Sequence, residues 1–171
     1  AFSPDGTQFV VAAGGATILH DTATGREIRR WQNSYGDVHT VSYSPDGRQI
    51  LGCSSTSAVT IWEAASGKEL RTFEAPSWIR AAAFSPNGRQ VVTGGGEKSG
   101  ELLVWDTQSG EKLRSLKGHA IPVVAVAFSP DGRQLLSAAS DSEGGSHNKV
   151  IVWDAATGES LHVLPAGPKG C

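Results

Sequence analysis

The chain predicts an all-β fold made of β-propeller blades, and three observations carry that expectation. The tetrapeptide Ser-Pro-Asp-Gly, or Ser-Pro-Asn-Gly, starts at Ser3, Ser44, Ser85 and Ser129, at intervals of 41, 41 and 44 residues. A period near forty marks a repeat array in which each copy is one supersecondary unit. Each copy holds short apolar segments parted by Gly, Asn, Asp and Ser clusters, and none sustains a helical period between its glycines and prolines. Four short antiparallel strands per ~42 residues describe one blade. The expected architecture is four four-stranded antiparallel sheets in a partial ring or arc, with the first blade truncated.

The elements follow in order within each copy. The first strand ends in an aromatic, at Val38–Tyr43, Ile79–Phe84 and Val123–Phe128, and only Ala1-Phe2 survives of it in the first copy. The tetrapeptide turn follows: Pro presets φ, Asp or Asn tolerates the next position, and Gly takes the positive φ. Second strands are expected at Gln8–Ala13, Gln49–Ser54, Gln90–Gly95 and Gln134–Ala139. The third strand ends in His20-Asp21, Trp62-Glu63, Trp105-Asp106 or Trp153-Asp154, and Val59/Ile61, Leu102/Val104 and Val150/Val152 alternate with period two. A glycine stands four residues after each acid, at Gly25, Gly67, Gly110 and Gly158. Apolar residues then come three residues apart (Ile28/Trp31, Leu70/Phe73, Leu113/Leu116, Leu161/Leu164), which breaks strict alternation and predicts a bulge or late start in the fourth strand. Blades are expected over 1–33, 34–75, 76–118 and 119–166, with a tail at 167–171.

Bulk composition narrows the function classes. The formal charge of −2, from 15 basic and 17 acidic residues, leaves no electrostatic footprint for nucleic acid or an anionic membrane. No apolar run approaches ~18 residues and no signal-peptide pattern is present. Met is absent and the chain opens in the middle of a unit, so it reads as part of a longer protein. Cys53 falls in a strand pattern and Cys171 ends the chain; two cysteines are too sparse for a disulfide scaffold, and no bridge is expected.

The order of tetrapeptide turn, small-residue strand, hydrophobic triplet, Trp-Asp and Thr/Ser-Gly, with one Gly118-His119 pair, resembles the WD-repeat (Trp-Asp repeat) β-propeller family over essentially the whole chain. TolB-type propellers also carry Ser-Pro-Asp-Gly, but Trp105-Asp106 and Trp153-Asp154 favour the WD family. The resemblance implies a larger propeller of roughly six to eight blades. It also implies a structural hydrogen-bond network of His119, Ser137, Asp141 and Trp153 in the fourth blade. A Ser/His/Asp set invites a catalytic-triad reading, but no nucleophile elbow or oxyanion-hole motif accompanies it. The third blade keeps Thr93 and Trp105 with Glu97 and Ala75 at the other positions, the second keeps only Trp62, and the first keeps none. The fourth blade is therefore expected to resist amide exchange most.

Repeat scaffolds place variation, and with it binding, in loops on one face. From the strand Ser/Thr position to the Trp position the chain runs 9, 10, 12 and 16 residues in successive copies. The longest segment contains Asp141, Glu143 and His147, whose spacing matches no metal-ligand signature, so no metal and no cofactor is expected. Residues ahead of the first strands map, by resemblance, to one end of the central channel. Tyr35, Asp37 and His39, with Trp78 and Arg80, make a candidate partner-binding set, because an exposed Trp beside Arg and Tyr has hot-spot composition. Gly94-Gly95-Gly96 precedes a loop and a strand, not a helix, and is no phosphate cradle. The expectation is a non-enzymatic scaffold binding protein or peptide, and the unpaired blade edges at its ends leave three outcomes: an open arc, self-association into a closed ring, or completion by further sequence. The alternative is a regulatory or substrate-gating propeller segment of a larger enzyme of kinase or peptidase type.

Overall fold

The structure, a computed structural model, describes residues 1–32, 36–54, 56–96, 100–140 and 148–165. These form four antiparallel sheets, each with its strands in chain order. The first has β1 (Gln8–Ala13), β2 (Ala16–Asp21) and β3 (Glu27–Gln32), and the second β4 (Val38–Tyr43), β5 (Gln49–Ser54), β6 (Ala58–Glu63) and β7 (Glu69–Glu74). The third has β8 (Ile79–Phe84), β9 (Gln90–Gly95), β10 (Glu101–Asp106) and β11 (Lys112–Lys117), and the fourth β12 (Val123–Phe128), β13 (Gln134–Ala139), β14 (Lys149–Asp154) and β15 (Ser160–Pro165). The architecture is an open arc of propeller blades. The first sheet holds three strands, and Phe2 forms an antiparallel bridge with Phe9 at its inner side.

The recurrent turn is a small hydrogen-bonded machine. In the second blade Ser44 Oγ donates to Asp46 Oδ1 (2.6 Å) and accepts from the Gln49 amide (2.9 Å), while the Arg48 amide donates to Asp46 Oδ1 (3.0 Å). Ser3, Ser85 and Ser129 repeat the pattern with Asp5, Asn87 and Asp131. Gly6, Gly47, Gly88 and Gly132 all have φ near +70°, which an L side chain resists. The serine hydroxyl holds Asp5, Asp46 and Asp131 below the usual carboxylate range. The acid–x–x–Thr/Ser–Gly turn closes the outer hairpin alike: the Thr24, Ser109 and Thr157 amides each donate to an Asp carboxylate at 2.7 Å.

The three-residue apolar spacing of the fourth strand resolves as a bulge. Register shifts beside His20, Trp62, Trp105 and Trp153 leave Ile28, Leu70, Leu113 and Leu161 without a cross-strand partner. All four are 43–46% exposed, so the bulge turns one apolar residue outward and restores the inward aim of the next.

Blade-to-blade contact builds the core. A forward face carries Val10, Leu19 and Trp31 in the first sheet, Leu51, Ile61 and Phe73 in the second, and Val92, Val104 and Leu116 in the third. Each packs on the backward, Trp-bearing face of the next sheet: Ile50 and Trp62, then Val91 and Trp105, then Leu135 and Trp153. Phe73 and Trp105 meet with ring centroids 4.8 Å apart. Two further contacts recur at each junction. Pro4, Pro45 and Pro86 stand over Gly47, Gly88 and Gly132 of the following turn, and Arg29, Arg71 and Arg114 lie over Gly67, Gly110 and Gly158. Arg71 also donates to the Ser109 carbonyl (3.1 Å), and Arg114 to that of Ala155 (2.6 Å).

The middle sheets are covered on both sides, whereas Leu136 of the fourth is 44% exposed and β15 is exposed throughout. This revises the expectation about exchange: one internal network does not offset an uncovered face. Amide exchange measured by mass spectrometry should be slowest in β5, β6, β9 and β10 and faster in β13 and β14; the reverse order would refute the ranking.

Replacing Ser44 by Ala leaves the Gln49 amide and Asp46 short of a partner and should cost about 1–3 kcal/mol in a denaturant melt. Asp46→Asn should cost less than half of that, because Asn87 already makes the same bonds in the third blade.

Candidate interaction surface

The sheet topology sorts the loops onto two ends. Inner strands run toward the tetrapeptide turns, and those turns share one end of every blade with the acid–x–x–Thr/Ser–Gly turns. Connections between second and third strands, and between one blade and the next, share the other end. One end is therefore built of near-identical turns and the other of unequal loops.

At the loop end the fourth blade carries a buried polar chain. Trp153 Nε1 donates to Ser137 Oγ at 2.8 Å, and Ser137 Oγ meets His119 Nε2 at 2.7 Å. The residues are 1%, 0% and 5% exposed. The arrangement that uses the hydroxyl hydrogen has Ser137 donating to Nε2, which places the imidazole proton on Nδ1. That buried Nδ1 has no partner among the described residues. Asp141, named with these residues from the resemblance, lies outside the described residues. Burial, and secondarily the charge of Lys149, lowers the His119 pKa to about 4, so the ring is neutral at physiological pH. A hydroxyl with no exposed surface, bonded on both sides, cannot reach a substrate carbonyl, and the geometry is that of a structural clasp. The third blade keeps a shorter version, Trp105 Nε1 to Thr93 Oγ1 at 3.0 Å. In the second, Gly52 replaces the hydroxyl residue, and a Cβ there would lie 2.5 Å from the Trp62 ring.

The sequence-derived partner set lies at this same end, except that Tyr35 is outside the described residues. Asp37, His39, Trp78 and Arg80 are all exposed, Trp78 at 55%. His39 and Arg80 occupy matching positions. Register shifts between Val38 and Thr40, and between Ile79 and Ala81, make each the bulged residue of an inner strand. Bulges re-aim side chains, and Thr40 Oγ1 donates to the Arg80 carbonyl at 3.2 Å, so the two bulged strands are neighbours. Val124 is the third bulged residue, 37% exposed, and the sequence reading passed over it. Its signal was available: like His39 and Arg80, it stands five residues before the tetrapeptide serine.

Sequence reasoning also missed why Gly94-Gly95-Gly96 is glycine-rich. A Cβ on Gly95 would fall 1.8 Å from the Trp78 carbonyl oxygen, which accepts from the Gly96 amide at 2.9 Å. Gly94 makes room for Val123 and Val126 of the next blade. The glycines clamp the backbone from which the Trp78 indole projects. Among the described residues no cluster of His, Cys, Asp and Glu could hold a metal ion. Cys53 is a buried core thiol, its pKa pushed up to about 12 by burial.

Titration of His119 should be visible in stability. Its pKa is about 4 folded and 6.5 ordinarily, so between these values the unfolded chain binds a proton that the folded chain does not. The contribution is complete above about pH 6.5 and is lost as pH falls toward about 4. Urea melts should show wild-type stability dropping more between pH 7 and pH 5 than that of His119→Gln; parallel slopes would refute the assignment.

Comparison with known proteins gives a consistent family. The family model described as eukaryotic translation initiation factor eIF2A matches residues 10–165. The serine-threonine kinase receptor-associated protein of Bos taurus is 34% identical over 166 residues, covering 94% of this chain and 45% of that protein. WD repeat-containing protein 1 of Gallus gallus is 26% identical over 166 residues, covering 93% of this chain and 26% of that protein. Among solved structures, the hydrazine synthase of Kuenenia stuttgartiensis superposes with a TM-score of 0.89 at 21% identity, over 97% of this chain and 48% of that one, a likeness of fold alone. The chain thus spans about half the length of the kinase receptor-associated relative and of the hydrazine synthase chain, and about a quarter of WD repeat-containing protein 1. The match over 10–165, the four tetrapeptide turns and the Trp-Asp strand ends agree: the chain belongs to the family of the eukaryotic translation initiation factor eIF2A model and is a segment of a WD-repeat β-propeller.

Proposed function

We propose that this chain is a non-enzymatic protein-interaction scaffold that takes a protein or peptide partner on its loop end, through Trp78 and Arg80 with Asp37 and His39 around them. WD-repeat relatives support the general role of binding other proteins. The observation that carries the finer reading is the exposure of Trp78, 55% open to solvent on a backbone held in place by Gly95 and Gly96. A large indole in water on a rigid support is costly unless something covers it, and truncating such anchors commonly removes ~2 kcal/mol or more of binding energy. The bulged Arg80 beside it presents a planar guanidinium with no partner among the described residues, the donor that grips a carboxylate in two-pronged fashion.

The test is a peptide-display selection against the chain, followed by affinity measurement on the Trp78→Ala/Arg80→Ala double variant. Selected peptides should bind the variant ~30-fold or more weakly, with the melting temperature unchanged. Retained affinity, or affinity lost only together with the fold, would sink the proposal.

A further inference from the structure

The third and fourth blades share the buried bond from Trp to a hydroxyl but differ in what stands beside it. Ten residues before the tetrapeptide serine the fourth blade has His119, whose Nε2 meets Ser137 Oγ at 2.7 Å, and the third has Ala75. Both hydroxyl residues lie deep, Ser137 at 0% and Thr93 at 2% exposure. With a methyl in place of an imidazole, the third blade has a cleft there, and Ala75, Ser77, Trp78, Thr93, Gly95 and Glu101 line it. Gly95 pairs with Ile79 on one side and Glu101 on the other, and having no side chain it leaves the space between them open.

The polar atoms of this cleft are acceptors around one anionic group. Glu101 is the first residue of its strand, where the other blades have Ala16, Ala58 and Lys149. Ser77 Oγ donates to Glu101 Oε2 at 3.2 Å and orients the carboxylate. Lys117 stands across from Glu101 on β11, yet no ion pair joins the two among the described residues. Thr93 Oγ1 accepts from Trp105 Nε1 at 3.0 Å and keeps a second lone pair. Trp78, 55% exposed, lines the same cleft, and an indole with a carboxylate favours a cation. The enclosed room is that of about one water-sized group. A compact ammonium with three rotatable donors suits it, whereas a guanidinium is flat and broader. A carboxylate would be repelled by Glu101.

We propose that this cleft takes the ε-ammonium group of a lysine on the protein or peptide partner. The inference rests on the reading of the Trp78 surface as the partner site and adds the chemistry the partner brings. The ammonium donates to the Glu101 carboxylate and to the hydroxyl oxygens of Ser77 and Thr93, while its methylene stem covers apolar surface of Trp78. The third blade receives from outside a group at the place where the fourth blade supplies its own, His119.

Peptides selected on the chain test this once the tightest is remade with norleucine or arginine in place of its lysine. Each replacement, and Glu101→Gln in the chain, should weaken binding ~10-fold or more. The norleucine peptide and Glu101→Gln should not add, because they remove two ends of one contact. Ala75→His sets an imidazole in the cleft and should weaken the lysine peptide as well, with the melting temperature retained. A selection that returns no lysine-bearing binder, or a lysine peptide that Glu101→Gln binds as tightly as wild type, would overturn the inference. Peptides that need Trp78 but no lysine would overturn it and leave the reading of the Trp78 surface standing. Binding indifferent to Trp78→Ala would sink both. A gain of affinity in Lys98→Ala would make the chain's own lysine the occupant and overturn the inference too.

Discussion

Everything in this molecule depends on one sheet face being covered by the next. A four-stranded sheet of six-residue strands has two faces and little volume between them, so it cannot bury its own apolar residues. Leu51, Val59 and Ile61 reach 0–1% exposure only because the third sheet lies on them. Fully burying such a side chain is worth roughly 1.5–3 kcal/mol relative to leaving it in water, and each junction buries several. Among the described residues the ion pairs are Arg30–Glu27 and a 4.0 Å contact between Arg133 and Asp131, both exposed, and exposed pairs contribute little. Stability in such an array is close to a sum of unit and neighbour terms, and here the neighbour terms dominate.

That constraint explains which parts of the repeat are constant. The tetrapeptide turns lie where each blade meets the next, with Pro4, Pro45 and Pro86 on successive glycines, so their backbone must be reproduced in every copy. Asn87 can replace Asp because its side-chain oxygen makes the same two bonds, to the Ser85 hydroxyl and the Arg89 amide. The buried Trp–Ser/Thr clasp is less strictly needed. It is complete through His119 in the fourth blade, shortened to Trp105–Thr93 in the third, and replaced in the second by Gly52 under the Trp62 ring. Close packing of Gly52 under the Trp62 ring fills the volume there, whereas the indole N–H of the third and fourth blades is given a hydroxyl acceptor. Among the described residues the loop end carries no proline-on-glycine contact, its loops differ in length from blade to blade, and Trp78 and Arg80 are presented there.

Much of this was legible from residue order. The second-strand limits, the positive φ of the turn glycines and the fourth-strand bulge follow from spacing and turn chemistry, and the structure agrees with them. The candidate surface was legible only in part. Trp78 and Arg80 stood out by hot-spot composition, and His39 by its place at the start of a first strand, but the bulge shared by His39 and Arg80 was not visible because register belongs to the pairing of two strands. Val124 was missed because an apolar residue in an apolar strand gives no contrast, although it stands five residues before the tetrapeptide serine as His39 and Arg80 do. Gly95 was missed because its role lies in a contact with the Trp78 carbonyl, seventeen residues away.

The sequence by itself determined the blade: its strands, its turns and the alternation that gives each sheet two faces. These depend on local backbone preference and on period, which are properties of consecutive residues. The tertiary structure alone decided which face is covered. Val92 and Leu136 are equivalent by sequence, and one is 0% and the other 44% exposed. Burial is set by the neighbour that arrives, and the repeat is silent about which copy has none.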